Sequence, residues 1–529
     1  MLKEYVVSLK KGVDYDAFWN QIESVSETDS FVPSRRVEIV NNRDGSLRSC
    51  HYSLTDEEAA LLRQDERVYC VEIPPDQRDD IQIGLRGFQG GNFSKSNSST
   101  GNLKNWGLNR VNSITNNYGA GTTTDNLYRY VLDGDGVDVV IQDSGLEVNH
   151  PEFKLPNGTS RVQQINWYTA SGLAGTQNAN HYRDFDGHGT HVAGIVAGKT
   201  FGWAKRANVY SLKINGLEGT GDSGTGISIS DCFDVIKLWH RNKPINPRTG
   251  FKRPTIVNMS WGYSLTYSTV DSVTYRGNTF NDANTTGNAG YRWTNYGLVN
   301  LQTGGGNFKT NYRVGSVDTD LQELIDEGVH VVIAAGNNYH KIDTPGGKDY
   351  NNYVTVSGSD YYYHQGSSPF EDEALKVGNI DTTVFSASLD QKLQSSETGP
   401  GVDIYAPGSN VVSCTSNINL YGNVAYNEDG LFKQINLSGT SMAAPQVCGL
   451  GALYLQINPG IKPAVLKQWF SQNAVSNLVI YTSGLDNDYT NMRSLMGGNN
   501  KFLRNPFGVE YDGTMRGVIT IKDAFVTQK

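Results

Sequence analysis

Cysteine is scarce in this chain. Five residues in 529 (Cys50, Cys70, Cys232, Cys414 and Cys448) stand far apart, with no CxxC pair among them. An odd, sparse set fits neither a disulfide framework nor a zinc cluster, although a single Cys50–Cys70 bridge stays open. Long apolar runs are missing too. No stretch approaches bilayer-spanning length, so no membrane partner is expected. The first residues, Met-Leu-Lys-Glu-Tyr-Val-Val-Ser-Leu-Lys-Lys, lack the apolar core of a signal peptide, and the chain as written is expected to start in a cytoplasm. Dense basic runs are absent as well. The net charge is −9, and residues 1–77 hold 9 Lys and Arg against 15 Asp and Glu, so −6 of it lies there. The rest is near neutral, which argues against nucleic acid as the main partner.

What is present is length, glycine (58) and tyrosine (29), with moderate apolar content. The length suffices for a large core and more than one domain, and the glycine implies many loops. Residues 1–77 read as one small domain. Alternation over 4–10 predicts a strand. Tyr15, Phe18, Trp19 and Ile22 recur at helical spacing. Strand patterns follow at 36–40, 48–53 and 67–73. Thr55-Asp56-Glu57-Glu58 is a capping-box pattern opening a second helix. The βαββαβ order predicts a small α+β, ferredoxin-like domain. Residues 78–105 are poor in apolar residues and rich in chain breakers, and read as a flexible linker open to proteolysis.

From about residue 106 strands and helices alternate. Strands are expected at 136–142, 208–214, 255–260, 330–335 and 352–357. Helices are expected at 188–197, 229–242, 318–327, 441–456 and 462–472. This pattern predicts an α/β fold, a mostly parallel sheet covered by helices on both faces, with ligands at the carboxyl ends of the strands. Residues 263–315 and 476–515, rich in Tyr, Asn, Thr and Gly, read as insertions.

Three stretches carry chemistry. Val139-Val140-Ile141-Gln142-Asp143-Ser144-Gly145 is a buried strand ending in an acid. Asp186-Gly187-His188-Gly189-Thr190-His191 puts a histidine at a helix start. Leu437-Ser438-Gly439-Thr440-Ser441-Met442-Ala443-Ala444-Pro445 puts a serine where a glycine-containing turn meets a helix, with free backbone N–H groups beside its hydroxyl. Singly, each has a bland reading: a turn-capping Asp, a structural His, a helix-capping Ser. The His188/His191 pair at i, i+3, with no Glu between, is not the zinc HExxH pattern. Together, a carboxylate, an imidazole and a hydroxyl are what acyl transfer requires.

All three stretches, in the order Asp, His, Ser, resemble the motifs of the subtilisin-like serine proteases. Ile256-Val257-Asn258-Met259-Ser260-Trp261-Gly262 is similar to that family's strand and substrate-pocket wall. Val331-Val332-Ile333-Ala334-Ala335-Gly336-Asn337-Asn338 is similar to its oxyanion-asparagine segment, and Val402-Asp403-Ile404-Tyr405-Ala406-Pro407-Gly408 to another landmark. Trp106–Arg110 resembles the start of the mature enzyme, and 517–524 its closing segment.

The resemblance implies a serine endopeptidase acting through an acyl-enzyme. Its nucleophile is Ser441, its general base His188 and its orienting carboxylate Asp143. Asn337 serves the oxyanion, and Ser260, Trp261, Gly262, Ala335 and Gly336 line the substrate. Substrates are polypeptides, held as an extended strand between edges near 215–226 and 260–262. Two readings stay open for Glu218 and Asp222, as acids facing basic side chains or as solvated loop residues. Trp261 likewise either narrows the pocket or packs outward. The resemblance also makes residues 1–77 an inhibitor-I9-like propeptide, which acts on its own catalytic domain, and puts a processing site within 78–105. No cofactor is required for catalysis; structural calcium is compatible with the family, its ligands unassigned. The alternative is a virion-associated or assembly protein with this fold, whose proteolysis is restricted to itself or its partners. Secretion by another route is a further alternative for its location.

Overall fold

The computed structural model describes residues 1–24, 35–78, 81–85, 88–89, 105–112, 114, 128, 130–267, 270–281, 296–298, 308–383, 389–422, 424–476, 493–507, 510–511 and 515–516. The front of the chain runs β1 (Lys3–Leu9), α1 (Tyr15–Ile22), β2 (Glu38–Asn41), β3 (Ser49–Leu54), α2 (Asp56–Leu62) and β4 (Val68–Glu72). The strands form an antiparallel sheet in the order β2-β3-β1-β4. Tyr5, Val7 and Leu9, alternate residues of β1, meet Phe18, Ile22 and Leu62 in a core of their own. The capping box forms: the Thr55 hydroxyl accepts the Glu58 N–H at 3.2 Å, and the Glu58 carboxylate accepts the Thr55 N–H at 2.8 Å. Cys50 and Cys70 are both free. They face Val7 and Ser8 from opposite sides of β1. Two strand spacings, about 9–10 Å, put them beyond disulfide reach.

Two short strands follow, β5 (Ile81–Leu85) and β6 (Phe88–Gln89), where sequence composition predicts a flexible linker. They are held by backbone pairing to the body, which local composition does not report. Next come α3 (Gly107–Arg110), β7 (Asp138–Asp143), α4 (Trp167–Ser171), α5 (His188–Ala197), β8 (Asn208–Lys213), α6 (Asp234–Arg241), β9 (Thr255–Met259) and β10 (Trp261–Tyr267). Then β11 (Ser272–Tyr275), β12 (Asn278–Phe280), β13 (Phe308–Asn311), α7 (Gly315–Asp326), β14 (His330–Ala334), β15 (Tyr353–Val356) and β16 (Ser359–Tyr362). The last elements in this frame are β17 (Leu375–Thr383), β18 (Leu389–Lys392), β19 (Ile404–Pro407), β20 (Val411–Thr415), β21 (Val424–Tyr426), β22 (Asp429–Ser438), α8 (Thr440–Ile457), α9 (Pro463–Asn473), β23 (Val475–Ser476) and β24 (Lys501–Phe502).

The nine-stranded main sheet has the order β23-β24-β19-β17-β14-β9-β7-β8, with β18 paired to β17. Its centre, from β8 through β19, is parallel. Both faces are buried. Val139 and Ile141 of β7 join α5 and α8 on one face, while Val140 packs with α6 and α7 on the other. This double burial explains why these strands read as continuous apolar runs.

Three expectations change. The strand at 353–356 leaves the main sheet and pairs antiparallel with β11 and β16. The described part of the 263–315 insertion is not irregular, because β10 pairs with β13 and β11 with β12. Within 476–515, Lys501–Phe502 adds to the edge of β19; residues 477–492 and the closing segment 517–524 lie outside the described residues. Among the described residues no helix is long and apolar enough to cross a membrane.

The front unit docks on the body through α7, which packs against β1, β3 and β4. Glu72 accepts the Ser316 N–H at 2.6 Å, at the N-terminus of α7 where a carboxylate is favoured. Arg43, fully buried, lies 2.9 Å from Asp234 and 3.0 Å from Asp320.

Candidate functional site

The carboxyl ends of β7, β9 and β14 lie side by side. Their register sets Gln142 opposite Met259, and Val331 opposite Val257. Asp143 therefore ends one strand next to Ser260, which follows its neighbour, and Ala335, Gly336 and Asn337 follow the third.

Asp143 Oδ1 and His188 Nδ1 are 2.9 Å apart, with both side chains fully buried. Burial opposes charge on the imidazole. The facing Asp143 carboxylate outweighs it, helped by Asp186 and Asp184, so His188 is held above the ordinary histidine value. His188 opens α5 after Gly187, whose φ of +95° suits glycine; a Cβ there would meet Asn419 Cβ at 2.5 Å. Asp184 fastens this turn to the Asp143 strand. It accepts the Ser144 hydroxyl at 2.9 Å, the Gly187 N–H at 2.8 Å and the Thr190 N–H at 2.9 Å. Sequence reasoning missed Asp184, since an Asp before a helix start reads as a local cap whatever else it holds. Asp186, pushed up to about 6 by burial, accepts the Tyr421 hydroxyl at 2.9 Å. His191 is a core residue: its Nε2 faces the carbonyls of Val411 and Ile435 at 3.1 and 3.2 Å, and burial lowers it to about 3.

Ser441 is the second residue of α8, so its N–H is among the first four that have no partner within the helix. The Ser441 hydroxyl donates to the Ser260 carbonyl at 3.2 Å, and the Ser260 hydroxyl returns a bond of 3.2 Å to the Ser441 carbonyl. Pro445 explains why that carbonyl is available. A proline four residues on has no N–H to give it. His188 Nε2 has no hydrogen-bond partner among the described residues. Asn337 is oriented by Thr440, whose N–H and hydroxyl donate to Asn337 Oδ1 at 2.9 and 3.2 Å. The carboxamide oxygen thereby faces Thr440, which fixes the orientation of the Asn337 amide group. Thr440 was also missed; it reads as a helix cap. Gly336 donates its N–H to the Thr440 hydroxyl at 3.1 Å, and Ala335 donates to Val377 at 3.0 Å.

Trp261 corrects its expectation. Its side chain neither narrows a pocket nor points outward. It is fully buried, its indole N–H donates to Gln142 at 3.2 Å, and its ring packs against Phe233 and Tyr263. Because β10 side chains alternate, facing the core takes Trp261 away from the strand's outer face. Trp261→Ala is expected to lower unfolding stability by about 3–5 kcal/mol, measured by denaturant melts, and to leave cleavage preference unchanged. Glu218 and Asp222 follow neither reading. Both are buried: Glu218 accepts the N–H groups of Gly216, Gly224 and Gly226, and Asp222 pairs with Lys213 at 2.5 Å. A glycine-rich loop exposes many backbone donors, and the Glu218 carboxylate satisfies three of them from within.

An α/β sheet with a buried Asp–His pair and a helix-initial serine at its carboxyl edge defines a hydrolase of the serine type. The chain belongs to the Subtilase family, whose sequence model matches residues 134–504. It is 25% identical over 444 residues to an extracellular serine proteinase of Thermus sp. (strain Rt41A), covering 83% of this chain and 75% of that one. It is 27% identical over 457 residues to Subtilisin-like protease 3 of Arthroderma otae, covering 85% and 81%. Among solved structures it is similar in fold to fervidolysin from Fervidobacterium pennivorans, a keratinolytic enzyme related to subtilisin. That similarity has a TM-score of 0.50 at 17% identity, and covers 95% of this chain and 60% of that one. The protein is therefore a subtilisin-like serine endopeptidase, and its substrates are polypeptides.

Proposed function

We propose that this endopeptidase cuts peptide bonds with Ser441 as nucleophile, His188 as general base and then acid, and Asp143 as the carboxylate that orients it. The observation that carries this reading is the buried Asp143–His188 pair at 2.9 Å. Asp143 accepts a hydrogen bond from the Nδ1–H and so holds the proton on Nδ1, which leaves Nε2 as the basic nitrogen. Ser441 must turn from the Ser260 carbonyl to hand over its proton, a rotation about one side-chain bond. The oxyanion then meets the Ser441 N–H and the Asn337 amide. The backbone of Ser260, Gly262, Ala335 and Gly336 borders the substrate.

Residues 1–77 act as a propeptide, and the enzyme is made as a precursor that processes itself within 78–105. Their docking through Arg43 and Glu72 supports this role. Every step is supplied by side chains and water, so no cofactor is required. Among the described residues no three His, Cys, Asp or Glu side chains converge as metal ligands, and any structural calcium stays unassigned.

A serine-directed fluorophosphonate tests the reading. It is expected to modify Ser441 of the processed enzyme and stop turnover; an active enzyme left unmodified would overturn the assignment. Asn337→Ala is expected to lower kcat by about 10²–10³-fold, the general range for one oxyanion donor in such enzymes, with KM little changed.

A further inference from the structure

Asn337 lies between two peptide groups that are both held by one residue, Glu397. The Glu397 N–H donates to the Gly336 carbonyl at 2.9 Å, and its carboxylate accepts the Asn338 N–H at 3.2 Å. The first bond fixes the peptide plane before Asn337 and the second fixes the plane after it, so the backbone of Asn337 has little freedom left. The approach is close. Gly336 has a φ of +122°, and a Cβ there would meet Glu397 Cγ at 2.7 Å, so only glycine admits this side chain against the backbone. Pairing of the two segments runs on, with Tyr339 donating to the Ser395 carbonyl at 3.0 Å and Thr398 to the His340 carbonyl at 3.2 Å.

Glu397 is fully buried, and its mounting is anchored to the main sheet. Lys392, the last residue of β18, donates its ammonium to the carbonyls of Leu393, Gln394 and Ser396 at 3.0, 3.0 and 2.9 Å. Burial lowers Lys392 to about 7, and the Glu397 carboxylate opposes that loss of charge. The Ser396 hydroxyl accepts the Asn379 N–H of β17 at 2.9 Å and donates to the Glu397 carbonyl at 2.8 Å. Burying a carboxylate is costly, and an apolar side chain fills such a space without that cost. The acid therefore points to a task that needs an acceptor at this place.

We propose that Glu397 is a positioning residue for the oxyanion step: by clamping both peptide groups beside Asn337, it holds the Asn337 amide where the tetrahedral oxygen forms. Thr440 sets the rotation of that amide, and Glu397 sets the backbone that carries it. The inference rests on the reading of Asn337 as an oxyanion donor. Misplacing a catalytic group by about 1 Å costs about 10²-fold in rate. The loss falls on kcat, because the donor is needed more by the transition state than by the bound substrate.

A double-mutant cycle tests the proposal, with kcat on a peptide substrate counted per Ser441 labelled by a fluorophosphonate. Glu397→Ala is expected to lower kcat by about 10–10²-fold with KM little changed. Glu397→Gln, which keeps an acceptor oxygen, should recover most of the loss. In an Asn337→Ala background Glu397→Ala should cost almost nothing more, because the group it positions is gone. An equal loss in both backgrounds, an unchanged kcat, or a Gln form as slow as the Ala form overturns the proposal and leaves the triad reading standing. Where the Ala form does not fold, Glu397→Met takes its place, filling the space without accepting a bond. If neither form gives a labelled serine, Glu397 belongs to the core alone and the proposal falls. An Asn337→Ala enzyme with wild-type kcat removes the oxyanion reading and this inference with it. A wild type with no labelled serine removes the serine-protease reading itself.

Discussion

Ser441→Ala is expected to leave the 529-residue chain whole under conditions in which the wild type divides. Cleavage of added polypeptides should fall by about 10⁴–10⁶-fold, the general range for losing a member of a serine-protease triad. The alanine keeps the α8 N-terminus and its N–H groups. What it loses is the attacking oxygen and the bond that oxygen gives to the Ser260 carbonyl. That carbonyl would be left without this donor in a buried place, which costs about 1–3 kcal/mol, so unfolding curves should accompany the rate measurements. A variant that melts a few degrees lower and makes no cut matches expectation. A variant that still cuts would remove Ser441 from the mechanism.

Asp143→Asn has the second largest expected effect, and it works in two ways that a pH profile separates. The amide cannot favour the Nδ1-protonated tautomer as the carboxylate does, so kcat should drop by about 10⁴-fold at its optimum. The charge that holds His188 above its ordinary value also disappears, and burial, which lowers His188, then prevails. A general base works only when unprotonated. Wild-type activity should therefore fall as pH drops through a His188 pKa lying above about 6.5. In the variant the surviving activity should hold to lower pH. Asp186 and Asp184 stay in place and limit the size of that shift, so its direction is the readout. An acid limb that does not move, or that moves upward, would mean that His188 is not the titrating base.

Much of the site was legible because each motif is local. Gly187-His188, Gly439-Thr440-Ser441 and the apolar run before Asp143 each carry their own strand end or helix start within a few residues. The order Asp, His, Ser then marks the family. Partners separated along the chain were not legible. Nothing near Asp184 says that it grips Ser144, and nothing near Thr440 says that it turns Asn337. Glu218 and Asp222 read as loop acids because composition cannot tell a solvated carboxylate from one that gathers three glycine N–H groups.

Periodicity alone settled that the body is an α/β sheet buried on both faces, because runs of apolar residues in strand–helix alternation can hide their surface in few other ways. Resemblance of three motifs to those of a known family marked Asp143, His188 and Ser441 as a set. Tertiary structure decided the direction of Trp261 and the strand pairing of residues 81–85 and 88–89. Those are matters of pairing between segments about 180 and 350 residues apart, as β5 with β10 and β6 with β22 show. Backbone hydrogen bonds make such pairs, and every residue but proline offers the same donor and acceptor, so side-chain identity leaves no trace of the partner.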